Sequence, residues 1–128
     1  MWLRVGDLLN EAKKSIKGSR ILILGVAYKR DVSDTRESPA IEIIRSLTSK
    51  GAQVAYHDPL VPQVTVDDRT FSSIRFDEGS LKDNDCVVIV TDHTSIDYEL
   101  VARNANLILD TRNALRDITR NRDRIINL

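Results

Sequence analysis

Four short apolar runs set the limits on what this chain can fold into: Arg20–Leu24, residues 52–59, Asp85–Thr91 and Ala105–Leu109. Each is aliphatic or β-branched and bounded by turn residues, the pattern of a buried strand. Between the first two, Ser38-Pro39 reads as an N-cap followed by proline at the first helical position. Ala40, Ile43, Ile44 and Leu47 then make the buried stripe of a helix that stops at Gly51. Residues 96–103 read as a second, shorter helix. Strands alternating with helices imply a mainly parallel sheet, right-handed crossovers and helices on both faces. The expected class is α/β, a three-layer sandwich.

The remaining segments are less regular. Residues 64–68 and 73–76 are each compatible with a short strand or a loop, and 78–82 with one helical turn. Residues 3–17 place Val5, Leu8, Leu9, Ala12 and Ile16 on one helical face, ended by Gly18 and Ser19. That helix precedes the first strand, so it is assigned to something upstream. The tail from Leu115 is mixed and receives no assignment.

Composition narrows the functional classes. Nineteen basic residues balance nineteen acidic ones, with the signs interleaved. No basic excess marks a nucleic-acid binder, and no apolar run approaches the roughly 20 residues of a membrane span. The N-terminus lacks the apolar core of a signal peptide. The one cysteine, Cys86, lies inside "CVVIV". It excludes a disulfide framework or a cysteine metal cluster and reads as core, not as a nucleophile. With His57 and His93 far apart in sequence, no metal site can be argued. A cytoplasmic protein is expected.

Ligands of such sheets bind beyond the carboxyl ends of the strands. There the segment 25–37 is far longer than the roughly 2–6 residues usual for a βα connection. A dinucleotide fingerprint needs three glycines, and only Gly25 is present. Side chains fill the space instead: Lys29 as a point charge for phosphate, Tyr28 as a flat face with a hydroxyl, and the helix start at Pro39 as a positive dipole end. The alternative is a solvated loop in which Lys29, Arg30, Asp31, Asp34, Arg36 and Glu37 form exposed ion pairs. Arg36 and Glu37 read as ties between loop and helix. A second candidate turn is "DTRN", with Asp110 and Arg112; the arginine suits a phosphate or carboxylate, or else faces solvent from a capping turn. His93 in "TDHTS" is a base, a ligand contact or a plain turn residue.

"GVAYKRDVSDTRESPA", "GAQVAYHDPLVP", "DNDCVVIVTDH" and "LILDTRNAL", in that order, closely resemble the C-terminal domain of the UDP-glucose/GDP-mannose dehydrogenase family. The resemblance runs from about Leu8 to Leu115. It implies a Rossmann-like fold that holds a nucleotide sugar, with Tyr28, Lys29 and Arg112 reaching the substrate. Asp34, Arg36, Glu37, His93 and Asp110 would support them. It also implies an N-terminal NAD-binding domain, a catalytic cysteine elsewhere and assembly as a homodimer or larger. Neither the glycine fingerprint nor a glycine-rich cysteine motif occurs here. Residues 1–18 are thus expected to end a linking helix and 19–128 to form the nucleotide-sugar domain. No catalytic residue, no tightly bound NAD, no metal and no dehydrogenase activity are expected of this chain alone. "GVAYK", "TDHTSIDYEL" and "DTRN" look most like enzymes of UDP-N-acetylhexosamines.

Two other readings remain open on sequence. One is a free-standing nucleotide-binding module. The other is an oligomerisation domain built on the stripe of Trp2, Val5, Leu8 and Leu9. Upstream coding sequence distinguishes the first, and light scattering of a Leu8→Asp variant the second.

Overall fold

The structure, a computed structural model, describes residues 15–127. The expected helix over 3–17 lies almost wholly outside them. Its last residues form a turn that ends at Gly18, whose N–H donates to Gly51 O at 2.9 Å.

The main sheet has five parallel strands: β1 (Arg20–Leu24), β2 (Gln53–His57), β5 (Cys86–Ile89), β6 (Ile108–Asp110) and β7 (Ile125–Asn127). Their spatial order is β2-β1-β5-β6-β7. Helix α1 (Pro39–Ser49) joins β1 to β2, α2 (Glu78–Lys82) precedes β5, and α3 (Tyr98–Asn104) joins β5 to β6. The chain thus winds one way from β1 to β2 and the other way from β5 to β7. The switch point lies between β1 and β5.

Alternation within β1 shows why both faces are covered. Ile21 and Ile23 pack with Ala40, Ile43, Ile44 and Leu47 of α1. Leu22 and Leu24 point the other way, to Leu81 of α2 and Val101 and Ala102 of α3. Every residue of β5 is buried, as expected of a central parallel strand. Cys86 is among them, and burial, with a further push from Asp85, raises its thiol to about 12. It is a core residue, as its context in the sequence indicated.

Two segments take forms that periodicity left open. Strands β3 (Gln63–Val66) and β4 (Arg69–Ser72) pair antiparallel in a separate hairpin. The turn uses Asp67 at φ 57°, and Val64, Val66 and Phe71 join the α1-side core. The tail adds the fifth strand: Arg122–Arg124 is a 3₁₀ turn, and β7 then pairs with β6. Its alternation is only three residues long and follows the polar "TRNRDR", so nothing local marks it. The pairing is supplied by β6.

Candidate functional site

At the carboxyl edge, β1 opens into the loop 25–38. Gly25 sits at φ 87°, and a Cβ there would meet Thr91 O at 2.4 Å. This glycine lets the end of β1 pass close to the end of β5. The next two amides, Val26 N–H and Ala27 N–H, donate to Asp58 Oδ2 at 2.8 and 3.2 Å. Asp58 lies just past β2 and is buried. Its Oδ1 accepts from Leu60 N–H at 2.8 Å. The fourth partner is His93 Nε2, 2.9 Å from Oδ2. A carboxylate can be buried only with such a set of donors around it.

His93 is also buried. Its Nδ1 lies 2.9 Å from Asp31 N–H and must accept. The ring hydrogen therefore sits on Nε2 and is donated to Asp58, which defines one neutral tautomer. Tyr98 closes the other side of this residue, its hydroxyl donating to His93 O at 2.8 Å. Burial, reinforced by Asp92 and Asp110, pushes that phenol up, so it stays a donor.

Between these two holders the chain runs exposed at the surface. Tyr28 is 40% exposed, and Lys29 Nζ stands 5.5 Å from its ring centroid, within cation–π range. Tyr28 N–H donates to Asp34 O at 2.8 Å. Arg30 pairs with Asp92 at 2.6 Å. Asp31, at φ 60°, accepts from the Thr94 N–H and hydroxyl, both at 2.9 Å at closest. The loop base is held by Thr91 Oγ1, which donates to Ala27 O at 2.6 Å.

Tyr28, Asp34, Arg36 and Glu37 line a hollow of ≈ 320 Å³. Arg36 and Glu37 also line one of ≈ 590 Å³, running between the start of α1 and β3. Arg36 donates to both oxygens of Asp34 and holds that carboxyl down at about 2. The Arg36 side chain is 88% exposed. The tie expected between loop and helix is thus a local one, Arg36 to Asp34. The helix itself is capped by Ser38, whose Oγ accepts from Ala40 N–H.

The second turn, after β6, is built differently. Asp110 is buried and accepts from its own following backbone: Arg112, Ala114 and Leu115 N–H, at 2.9–3.1 Å. Asn113 takes φ 56° to make this possible. Arg112 is exposed, with Nε donating to Val90 O at 2.8 Å. This fixes the guanidinium at the carboxyl end of β5.

The fold therefore brings Tyr28 and Lys29 together, groups Asp34, Arg36 and Glu37 beside them, and sets Arg112 on a separate turn of the same edge. His93 and Asp110 are buried holders of these turns. Sequence reasoning passed over Asp58, the group on which the first loop converges. The available signal was positional: "HDP" closes β2 and "TDH" closes β5, both at the switch point.

The same geometry bears on a dinucleotide. A glycine cradle offers free amides to pyrophosphate. Here the first two amides after Gly25 are committed to Asp58, and a negative charge lies beneath them. These residues do not fit the pyrophosphate of NAD at this loop.

A doubly wound sheet whose switch-point loop displays side chains in place of a glycine cradle defines a Rossmann-like binding domain. More narrowly, residues 22–117 match the UDP binding domain of the UDP-glucose/GDP-mannose dehydrogenase family, and the chain belongs to that family. It is 30% identical over 117 residues to a UDP-N-acetyl-D-mannosamine dehydrogenase of Methanococcus vannielii, covering 84% of this chain and 26% of that protein. It is 30% identical over 123 residues to a UDP-glucose 6-dehydrogenase of Rickettsia bellii, covering 88% and 27%. Among solved structures, a UDP-D-ManNAc dehydrogenase from Pyrococcus horikoshii superposes with TM-score 0.68 at 28% identity, covering 86% and 25%. The chain spans about a quarter of the length of the curated relatives it matches. No helix among the described residues is long and apolar enough to cross a membrane.

Proposed function

We propose that this chain is the nucleotide-sugar-binding domain of a UDP-sugar 6-dehydrogenase, an enzyme that oxidises the sugar C6 alcohol to a carboxylate with NAD. The observation that carries this reading is the exposed Tyr28–Lys29 arm at the switch point, in a chain of this family. Lys29 places a cation, and Tyr28 a ring, where a glycine cradle would otherwise meet a phosphate. Arg112 offers a guanidinium on the adjoining turn, suited to the same diphosphate. Asp34 and Arg36 shape the wall beside them.

Residues 19–128 are the binding unit in this reading, and 1–18 the end of a linking segment. In this reading NAD is held by an N-terminal domain, as the family resemblance implies, and the loop after β1 offers side chains but no free amide cradle. Dehydrogenase activity then requires that domain and its catalytic cysteine, and the assembled enzyme is a homodimer or larger. A UDP-N-acetylhexosamine is the favoured substrate on the likeness of "GVAYK", "TDHTSIDYEL" and "DTRN"; relatives at equal identity are named for UDP-N-acetyl-D-mannosamine and for UDP-glucose. A cytoplasmic setting is part of this reading.

The test is an NMR titration of the labelled chain with UDP, UDP-N-acetylglucosamine and NAD in parallel. Shifts from the uridine compounds at 26–37 and 110–113, with none from NAD, are expected. Lys29→Ala and Arg112→Ala should each weaken uridine-nucleotide binding about tenfold, the scale of one charge-assisted hydrogen bond. NAD shifts at those positions, or NAD-dependent turnover by this chain, would defeat the reading.

A further inference from the structure

We propose that the buried Asp58–His93 pair is a positioning device that sets the Tyr28–Lys29 arm for its ligand; this rests on the function proposed above. The geometry points there because one pair grips both ends of one arm. Before Tyr28, Ala27 N–H is bound to Asp58 Oδ2. After Arg30, Asp31 N–H is bound to His93 Nδ1. The two holders are joined to each other through His93 Nε2 and Asp58 Oδ2 at 2.9 Å. Only residues 28–30 lie between the grips, and all three are exposed.

The arm is therefore referenced to the buried ends of β2 and β5, not to solvent. The arm has further ties, from Tyr28 N–H to Asp34 O, Thr91 Oγ1 to Ala27 O and Thr94 to the Asp31 carboxylate, but Asp58 and His93 alone join its two ends to each other through one buried contact. Arg30 is held by Asp92, whose partner contact is at the surface. Pre-setting a loop in its ligand-ready geometry raises affinity by removing an ordering cost at binding. His93 is suited to this because one ring both accepts and donates. Nδ1 must accept from a backbone amide while Nε2 donates to a carboxylate, so the histidine must be the neutral Nε2–H tautomer.

Asp58 and His93 are positioning residues here and touch no ligand. The distinction from a merely structural role is testable, because two substitutions keep opposite halves of the device. In His93→Asn, the side-chain oxygen replaces Nδ1 and keeps the grip on Asp31. In His93→Gln, the amide replaces Nε2 and keeps the contact with Asp58, but Asp31 N–H loses its acceptor.

The experiment uses the labelled 128-residue chain. Without ligand, long-range nitrogen shifts of the wild type should show His93 protonated at Nε2 and bare at Nδ1. Amide relaxation at 28–31 should give order parameters near about 0.85 in the wild type and in His93→Asn. They should fall below about 0.6 in His93→Gln, with the denaturation midpoint little changed. With UDP-N-acetylglucosamine, His93→Gln should bind about tenfold more weakly and His93→Asn within about twofold of the wild type.

A proton found on Nδ1 overturns the device without need of any variant. So does an arm that stays rigid in His93→Gln. A wild type that fails to bind the nucleotide sugar, with an arm that nonetheless loosens in His93→Gln, defeats the proposed function and leaves the mechanical coupling standing. Equal loss of affinity in both variants, with a rigid arm, reduces the pair to a role in general stability.

Discussion

The loops after β1 and after β6 solve one problem in two ways. Each carries an exposed cationic side chain, Lys29 or Arg112, at the carboxyl edge of the sheet, and each hangs its backbone on a buried aspartate. Asp110 accepts from amides two, four and five residues ahead of it. Asp58 accepts from the nearby Leu60 N–H with one oxygen, but with the other from amides about thirty residues away in sequence and from a histidine thirty-five residues on. The first is a turn that caps itself. The second is a junction of three chain segments. Local capping fixes one turn; the junction fixes the relation between β1, β2 and β5 at the switch point.

The contrast predicts unequal damage when each carboxylate is removed. Asp58→Ala should have the largest effect, about 4 kcal/mol of unfolding free energy, because several buried donors lose their acceptor together. Urea denaturation measures it. Asp58→Ala should also broaden amide signals of 26–31 and 93–94, segments far apart in sequence. A loss confined to residues near 58 would break the comparison, since Asp58 would then be a local cap like Asp110.

The same contrast explains what could be read from the sequence. Strand β1, helix α1 and strand β5 carry their own evidence: alternation or period, caps and apolar runs. The turn "DTRN" could be recognised as a cap because donor and acceptor lie within five residues. The Tyr28–Lys29 arm stood out because it interrupts an expected glycine turn. Asp58 did not stand out, because it is an ordinary turn residue until β2 and β5 are placed on either side of β1; His93 stood out as a candidate, but nothing local named Asp58 as its partner. Strand β7 was hidden for a like reason, its identity being conferred by β6. The hairpin β3–β4 depends on a positive φ at Asp67 that no glycine announces.

Asp110→Ala ranks next, at about 2 kcal/mol. Its three amide donors belong to one turn at the edge, so part of the turn can open and find water. Arg112 should lose its fixed setting on Val90 O, and uridine-nucleotide affinity should fall as in Arg112→Ala. Asp58→Ala and Asp110→Ala together should add within about 0.5 kcal/mol, because the two share no partner. Strong non-additivity in the double variant would join the two edge loops into one unit and sharpen the picture of the site.

The smallest effect belongs to the Arg36–Asp34 pair, which looks the strongest in a drawing. Arg36 gives Asp34 a two-oxygen contact, yet its side chain is 88% exposed. Exposed pairs of this kind are screened by water and salt. The Asp34 carboxyl is held at about 2 by Arg36, below its unfolded value of roughly 3.9. A depressed carboxyl stabilises the fold above the unfolded value and loses that contribution as pH falls from about 4 through about 2. Arg36→Ala should therefore shift Tm by less than about 1 °C near neutral pH. It should also flatten the acid limb of the stability curve slightly, at low salt only. A large Tm loss in Arg36→Ala would mean that the wall of the hollow beside Tyr28 is held from outside, reversing the order of strength drawn between buried junction and exposed pair.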